Sequence, residues 1–536
     1  MNEPGTLLGC LERSAALGEC VRFLDRSRER ALSYRKVLER ACAVGGALEA
    51  LGVGPGSRVA IAAPTGPEFY YAFFGVLAAG AAPLSLPLPP RFGPKASIQE
   101  ELQASVRAAG ASLVLTDAPG RVRMPELEVV ALAELPERRP RLVEGEPDSL
   151  ALVQLSSGTT GPPKPIPLTH RQLLSNVRAI RERILERYPA ERYQHGGVSW
   201  LPLYHDMGLV GAVLTAIAQP APLTLMKPEE FVARPARWLQ AISRYRATVS
   251  AAPNFAYELA VDRIAEEELA GVDLSSWLVA LDGAEPVSAS TLSRFYERFR
   301  SFGLRREALT PVYGLAEASL AVSFSDPAAP FASRRVDGAA LFERGEAIES
   351  DGGVEFVSSG APLAGVEVEI AAEDGARLPE GRVGRVLIRG TSVTSDGVDE
   401  EGFFDTGDLG FFSEGELYLC GRSRDLLFLR GRNYPPERVE EAVDGVAGLR
   451  NGSVAAVSWR GEKGDRLLLL AERLLHLTPE DEARAIGEIR SRAIERCGVD
   501  PAVVLLDPGA LPRTSSGKIR RQEAARLFAP DPSSRG

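Results

Sequence analysis

The stretch VQLSSGTTGPPKPIPLTH, Val153 to His170, decides how the rest of the chain is read. It passes from an apolar strand-like run into a loop of glycine, serine and threonine, and leaves through two stiffening prolines. Ser156, Ser157, Thr159 and Thr160 offer hydroxyls beside glycine-rich backbone N–H groups, and Lys164 adds a positive charge. Such donors suit an anion, phosphate above all. The loop is not a Walker A motif: laid down from Gly158, G-x-x-x-x-G-K-[ST] puts Pro163 where its second glycine belongs and Pro165 where its Ser or Thr belongs. The loop therefore points to a different phosphate chemistry.

On both sides of the loop, helix-like and strand-like segments alternate. ALSYRKVLERACAVGGALEALG (31–52) has helical apolar spacing, RVAIAAP reads as a buried strand, and EFYYAFFGVLAAG is helical again. The rhythm returns in ASLVLTD, SLALVQLSSG, VSWLPL, PLTLM and WLVALDGAEP, and strands alternating with helices imply parallel βαβ units. From about Val354 the short strands VEFVSSG, VEVEIAAEDG and GRVLIRG predict a small β-rich subdomain. Arg422 to Asp425 reads as a polar turn, and SVAAVSW, DRLLLLAERL, DEARAIGEIRSRAIERCG and AVVLLD beyond it make a compact α+β segment. The expected fold class is α/β. A large N-terminal domain of βαβ subdomains plus the β-rich subdomain spans 1–422, and a small α+β C-terminal domain spans 423–536.

The bulk composition agrees. At 536 residues, 45% hydrophobic and 25% charged, the chain can bury more than one core. A net charge of -10 argues against nucleic acid or an anionic membrane as the main partner. The five cysteines show no C-x-x-C spacing and no disulfide framework, which predicts a reducing, cytoplasmic setting. The start lacks a signal-peptide pattern. The apolar run from Phe69 is broken by Gly75, Gly80 and Pro83, so it predicts a buried helix feeding a strand, and no membrane span.

Lysine usage sharpens the reading of the loop. The chain has six lysines, which leaves 56 of its 62 basic residues as arginine. Two of the six, Lys164 and Lys518, sit in loops of the same local chemistry, since LPRTSSGKIRR sets Lys518 after Ser515, Ser516 and Gly517. A compact ammonium on a mobile stem can follow a moving phosphate where a rigid guanidinium cannot. His170, His195 and His476 have no such supporting pattern and read as structural.

These two loops, with VYGLAEAS (Tyr313, Gly314, Leu315, Glu317) and DTGDLGF (Thr406, Gly407, Asp408), resemble the motifs of the adenylate-forming superfamily over nearly the whole chain. VSWLPLYHDMGLVGAVL, LDGAEPVSASTLSRFYERF and RGRNYPPERVEEAV are most similar to the fatty acyl-AMP ligases, as is the segment Arg334 to Gly360, which sits where those ligases carry an insertion absent from acyl-CoA ligases.

The resemblance implies ATP and Mg2+ as cofactors, a medium- or long-chain fatty acid as substrate and an acyl carrier protein as partner. Ser156, Ser157, Thr159, Thr160 and Lys164 would hold phosphates. Gly283, Ala284 and Glu285 would line the adenine, with Tyr313 stacking on it beside Gly314 and Leu315. Asp408 would take the ribose hydroxyls, assisted by Arg422, and Glu317 would help hold Mg2+. His205 and Asp206 would lie near the substrate carboxylate. Lys518 would stabilise charge as the carboxylate attacks the α-phosphorus, and the C-terminal domain would then swing about a hinge at Arg424.

Three departures stand out: Pro165 replaces a usual glycine, Asp282 a usual asparagine, and the segment from Arg389 to Gly410 is short. An acyl-CoA ligase and a catalytically silent nucleotide-binding protein are the alternatives.

Overall fold

The computed structural model describes residues 3–25, 28–89, 95–156, 163–429, 432–461, 464–497, 499–514 and 518–529. Two largely parallel sheets form the large domain. The first has six strands in the order Glu128–Ala131, Leu113–Thr116, Arg58–Ala62, Ala82–Ser85, Leu150–Leu155 and Pro165–Thr169. Its pairs are parallel except the last, which is antiparallel. Leu113–Thr116 is buried throughout, and its unbroken apolar run is what burial on both faces requires. The second sheet has nine strands, and six consecutive ones, from Leu309–Gly314 through Val279–Asp282 to Cys20–Asp25, are parallel.

The apolar run after Gly66 forms the buried helix Pro67–Ala78, with proline in its first turn, and feeds the strand Ala82–Ser85. Gly75 lets it lie against the helix Tyr34–Ala50, because a Cβ there would overlap Val44. The helix read over 31–52 starts only at Tyr34. Ser33 caps it by accepting from the Lys36 N–H at 3.2 Å, and Arg28–Ser33 pairs instead as an edge strand with Cys20–Asp25. Among the described residues no helix is long and apolar enough to cross a membrane. Cys10 and Cys420 are buried, and Cys20 and Cys42 are half-buried.

The β-rich subdomain is an antiparallel sheet of Val366–Ala371, Gly384–Gly390, Phe404–Ser413 and Glu416–Arg422. The insertion-like segment folds as a hairpin of Ser333–Val336 and Val354–Val357, with Val336, Leu341 and Phe356 packed on Phe411, Tyr418 and Cys420. Beyond the short turn Ser423–Asp425 the small domain has its own hydrophobic clusters, beginning at Leu427. Its sheet pairs Leu449–Gly461 antiparallel with Gly464–Arg473, which pairs parallel with Ala502–Leu506. The helices Pro436–Ala442, Pro479–Cys497 and Arg521–Phe528 complete it.

Candidate active site

Parallel sheets place ligands at the carboxyl ends of their strands, and the candidate site gathers there. The strand Leu309–Gly314 ends in Tyr313, almost fully buried, whose hydroxyl donates to Asp408 Oδ2 at 2.6 Å. Burial first, and then the Asp408 charge, hold the Tyr313 phenol far above its usual range, so it stays a donor. Asp408 and Arg422 are paired residues of adjacent antiparallel strands, and Arg422 Nε donates to Asp408 Oδ1 at 3.1 Å. Each carboxylate oxygen keeps a further lone pair for another donor. Thr406 Oγ1 accepts from the Asp408 N–H at 3.1 Å, which fixes the turn that presents the acid.

Gly314 is demanded by a close approach: a Cβ there would overlap the Leu320 carbonyl, which accepts from the Leu315 N–H at 2.8 Å. The turn that follows carries Glu317. Burial raises the Glu317 carboxyl above the ordinary range and Asp206 adds to this, against its own backbone N–H, Arg422 and Lys164. His205 Nδ1 lies 2.7 Å from Asp206 Oδ1, which also accepts from the Met207 N–H at 2.7 Å. Burial pushes Asp206 up, but His205, the Met207 N–H and Lys518 outweigh it and leave the carboxyl below its usual range. The π-helical stretch Met207–Leu214 follows directly, a distortion frequent at functional sites.

Ser156 and Lys164, at the facing ends of two paired strands, are tied together: the Ser156 N–H donates to the Lys164 carbonyl at 2.9 Å and the Lys164 N–H to Ser156 Oγ at 3.1 Å. Ser157, Thr159 and Thr160 lie outside the described residues. Lys518 comes from the small domain, where the Thr514 N–H donates to the Lys518 carbonyl at 2.8 Å and the Lys518 N–H to Thr514 Oγ1 at 3.1 Å. Burial and then Arg422 lower the Lys518 ammonium, opposed by Asp206, Glu285 and Asp408.

These groups surround a cavity of about 530 Å³ lined by Ser156, Lys164, His205, Tyr313, Gly314, Leu315, Glu317, Arg422, Arg424 and Lys518, among others. Its lining also includes the apolar residues Ile180, Gly211, Leu320, Ala321 and Phe324. Ala284, at a left-handed φ of 69°, lines the cavity. Gly283 and Glu285 are not among the lining residues. A Cβ on Gly283 would come within 2.8 Å of the Val312 carbonyl, and Glu285 Oε1 accepts from the Phe255 N–H at 2.6 Å. Asp282 is fully buried with no partner for either carboxyl oxygen among the described residues, and burial, then the Glu285 charge, pushes its carboxyl well above the usual range.

The histidines read as structural sit away from the cavity. His170 accepts from the Leu7 N–H at 3.2 Å and is lowered to about 4 by burial, and His195 Nε2 lies 2.7 Å from the Tyr188 carbonyl. His476 is exposed, at a φ of 73°. Sequence reasoning gave no role to Phe255, whose N–H holds Glu285, and named Thr406 only as part of DTGDLGF, with no role of its own.

Asp408 itself is not among the lining residues, whereas its partners Tyr313 and Arg422 are. A cavity lined by Lys164, Lys518, Tyr313, Arg422 and a set of apolar side chains suits an adenylate-forming enzyme. The chain belongs to the AMP-binding enzyme family, which matches residues 12–396, and it is an adenylate-forming ligase. It is 33% identical to the 4-hydroxyphenylalkanoate adenylyltransferase of Mycobacterium marinum, over 93% of this chain and 86% of that one. It is also 33% identical to the medium-chain-fatty-acid–[acyl-carrier-protein] ligase JamA of Moorena producens, over 91% and 88%. A solved structure from work on fatty acyl-adenylate ligases of E. coli and L. pneumophila matches with a TM-score of 0.91 at 35% identity, over 98% of this chain and 97% of that one.

Proposed function

We propose that the chain activates a medium- or long-chain fatty acid with ATP to acyl-AMP, releasing pyrophosphate, and passes the acyl group to the phosphopantetheine thiol of an acyl carrier protein. The observation that carries this reading is the continuity of the cavity, polar at Lys164, Lys518 and Glu317 and apolar along Ile180, Gly211, Leu320, Ala321 and Phe324. None of the latter residues is charged, so they offer an alkyl chain apolar contact, and an α-ammonium group no partner. The likeness to a fatty acyl-adenylate ligase and to a carrier-protein ligase supports both halves of the reaction.

In the first half a carboxylate oxygen of the acid bonds to the α-phosphorus of ATP and the bond to pyrophosphate breaks. Lys518 offsets charge at the α-phosphate and Lys164 at the departing pyrophosphate. Asp408, held by Tyr313 and Arg422, accepts from the ribose hydroxyls, while Tyr313 presents its ring to the adenine. Glu317, a hard oxygen donor beside Asp206, fits one position around a magnesium ion. The described residues hold no cluster of three or more ligating side chains, as suits a cation bound mainly through phosphate and water. Bound there, magnesium neutralises phosphate charge. In the second half the thiol sulfur attacks the acyl carbonyl carbon and AMP leaves, with the small domain turned about Arg424 so that Lys518 is withdrawn.

The test follows radiolabelled dodecanoic acid incubated with ATP and Mg2+, offered free CoA and a phosphopantetheinylated carrier protein in parallel. Label that rests at acyl-AMP with CoA and moves onto the carrier is the expected result. Efficient acyl-CoA formation would assign the chain to the CoA ligases. A panel that includes 4-hydroxyphenylalkanoates checks the acid, and preference for those over every alkanoate would overturn the reading of the apolar lining.

A further inference from the structure

We propose that Glu101 and Arg520 form a latch that holds Lys518 in its adenylating position, a role resting on the function proposed above. Arg520 Nη2 donates to both carboxylate oxygens of Glu101 at 2.8 Å, across 419 residues of chain. Glu101 lies on the helix Lys95–Ala109 of the large domain. Arg520 stands two residues after Lys518, immediately before the helix Arg521–Phe528. Both side chains are about three-quarters buried, at 23% and 28% exposure, so water screens the pair less than it does an open surface contact.

The two ends of this pair are attached to the catalytic geometry. On the small domain, the Arg520 N–H donates to the Pro512 carbonyl at 2.8 Å, and Arg513 and Ile519 form a β-bridge inside that closure. The backbone carrying Lys518 is thus tied at Ile519 and Arg520 to Pro512 and Arg513, and holding Arg520 holds the Lys518 backbone in place. On the large domain, the Glu101 helix packs against the strand Pro165–Thr169, which leaves the phosphate loop at Lys164. The latch therefore draws the Lys518 backbone toward the element that anchors Lys164. Glu101 and Arg520 are positioning residues, since neither lines the cavity.

A latch made only in this pose acts on one half-reaction and spares or speeds the other. The full chain carrying Glu101→Gln, Arg520→Gln, or the exchange Glu101→Arg with Arg520→Glu is assayed twice. One assay follows single-turnover pyrophosphate release from ATP and dodecanoic acid, and the other follows transfer from supplied dodecanoyl-AMP to a phosphopantetheinylated carrier. Each single variant is expected to slow the first step about threefold to fivefold and leave the second unchanged or faster, with the exchange restoring the first. Equal losses in both steps, or no loss in the first, would overturn the latch. Energy transfer between dyes on the two domains reads closure independently of chemistry, and an unaltered closed fraction in Glu101→Gln also overturns it. If the unsubstituted protein makes no adenylate, the functional proposal fails while closure still decides the latch.

Discussion

Two loops of nearly the same composition, around Lys164 and around Lys518, meet at one cavity and are built on opposite principles. Lys164 sits at the end of a strand of the first large sheet, its backbone tied to Ser156, with its side chain exposed. Lys518 belongs to a separate domain and reaches the cavity from that domain, half-buried beside Arg422 with Asp206, Glu285 and Asp408 in partial compensation. An exposed ammonium on a fixed strand end gives steady attraction. A half-buried one, brought in by a domain, acts strongly in low dielectric and can be withdrawn.

The largest effect should separate the two loops outright. Lys518→Ala is expected to slow acyl-AMP formation by about 10²–10³ while transfer from supplied acyl-AMP keeps most of its rate, as a pyrophosphate-release assay and a carrier-loading assay would show. A comparable loss in both assays would mean that Lys518 does not leave the site. Lys164→Ala is expected to cost about tenfold, the worth of one charge-assisted contact, seen mainly as a raised KM for ATP. A loss as deep as that of Lys518→Ala would erase the contrast.

The smallest effect concerns what the small domain meets when it closes. Glu258, on the large-domain helix Asn254–Arg263, is raised to about 7 by burial, then by Asp444 of the small domain and by Asp262, against Arg294 and with a further push from Glu285. Its carboxyl thus keeps a proton in the closed form that it releases when open, so closure weakens as pH rises from the carboxylate range through about 7 and is level above that. Part of that burial is intrinsic to the helix, so the change in adenylation rate should be only about threefold. Glu258→Gln should flatten the profile, and a profile identical to the parent's would remove Glu258 from the closing interface.

Much of this was legible in the chain. The runs RVAIA and LVLT form strands, as their largely apolar, β-branched composition suits a sheet covered on both faces. Tyr313, Asp408 and Arg422 were named from motifs, yet that the Tyr313 hydroxyl and Arg422 hold the two Asp408 oxygens depends on strand register and on a contact across 95 residues. The start of the helix Tyr34–Ala50 was missed because the local Ser33 cap and an edge-strand pairing outweighed apolar spacing. Gly283 and Glu285 were read as lining the adenine, but close packing on Val312 and a bond from Phe255 turn them from the cavity, leaving Ala284 to face it.

The sequence by itself determined the chemistry on offer: two lysines kept as lysine among 56 arginines, hydroxyl-rich loops around them, and carboxylates in turns. Those choices follow from local properties of side chain and backbone. Tertiary structure alone decided which groups share a field: Lys518 with Asp206 and Glu285, Glu317 with Lys164, Glu258 with Asp444, and Arg520 with Glu101. Electrostatic partnership depends on distance through space and on exclusion of water, and neither quantity is written in the spacing of residues along a chain.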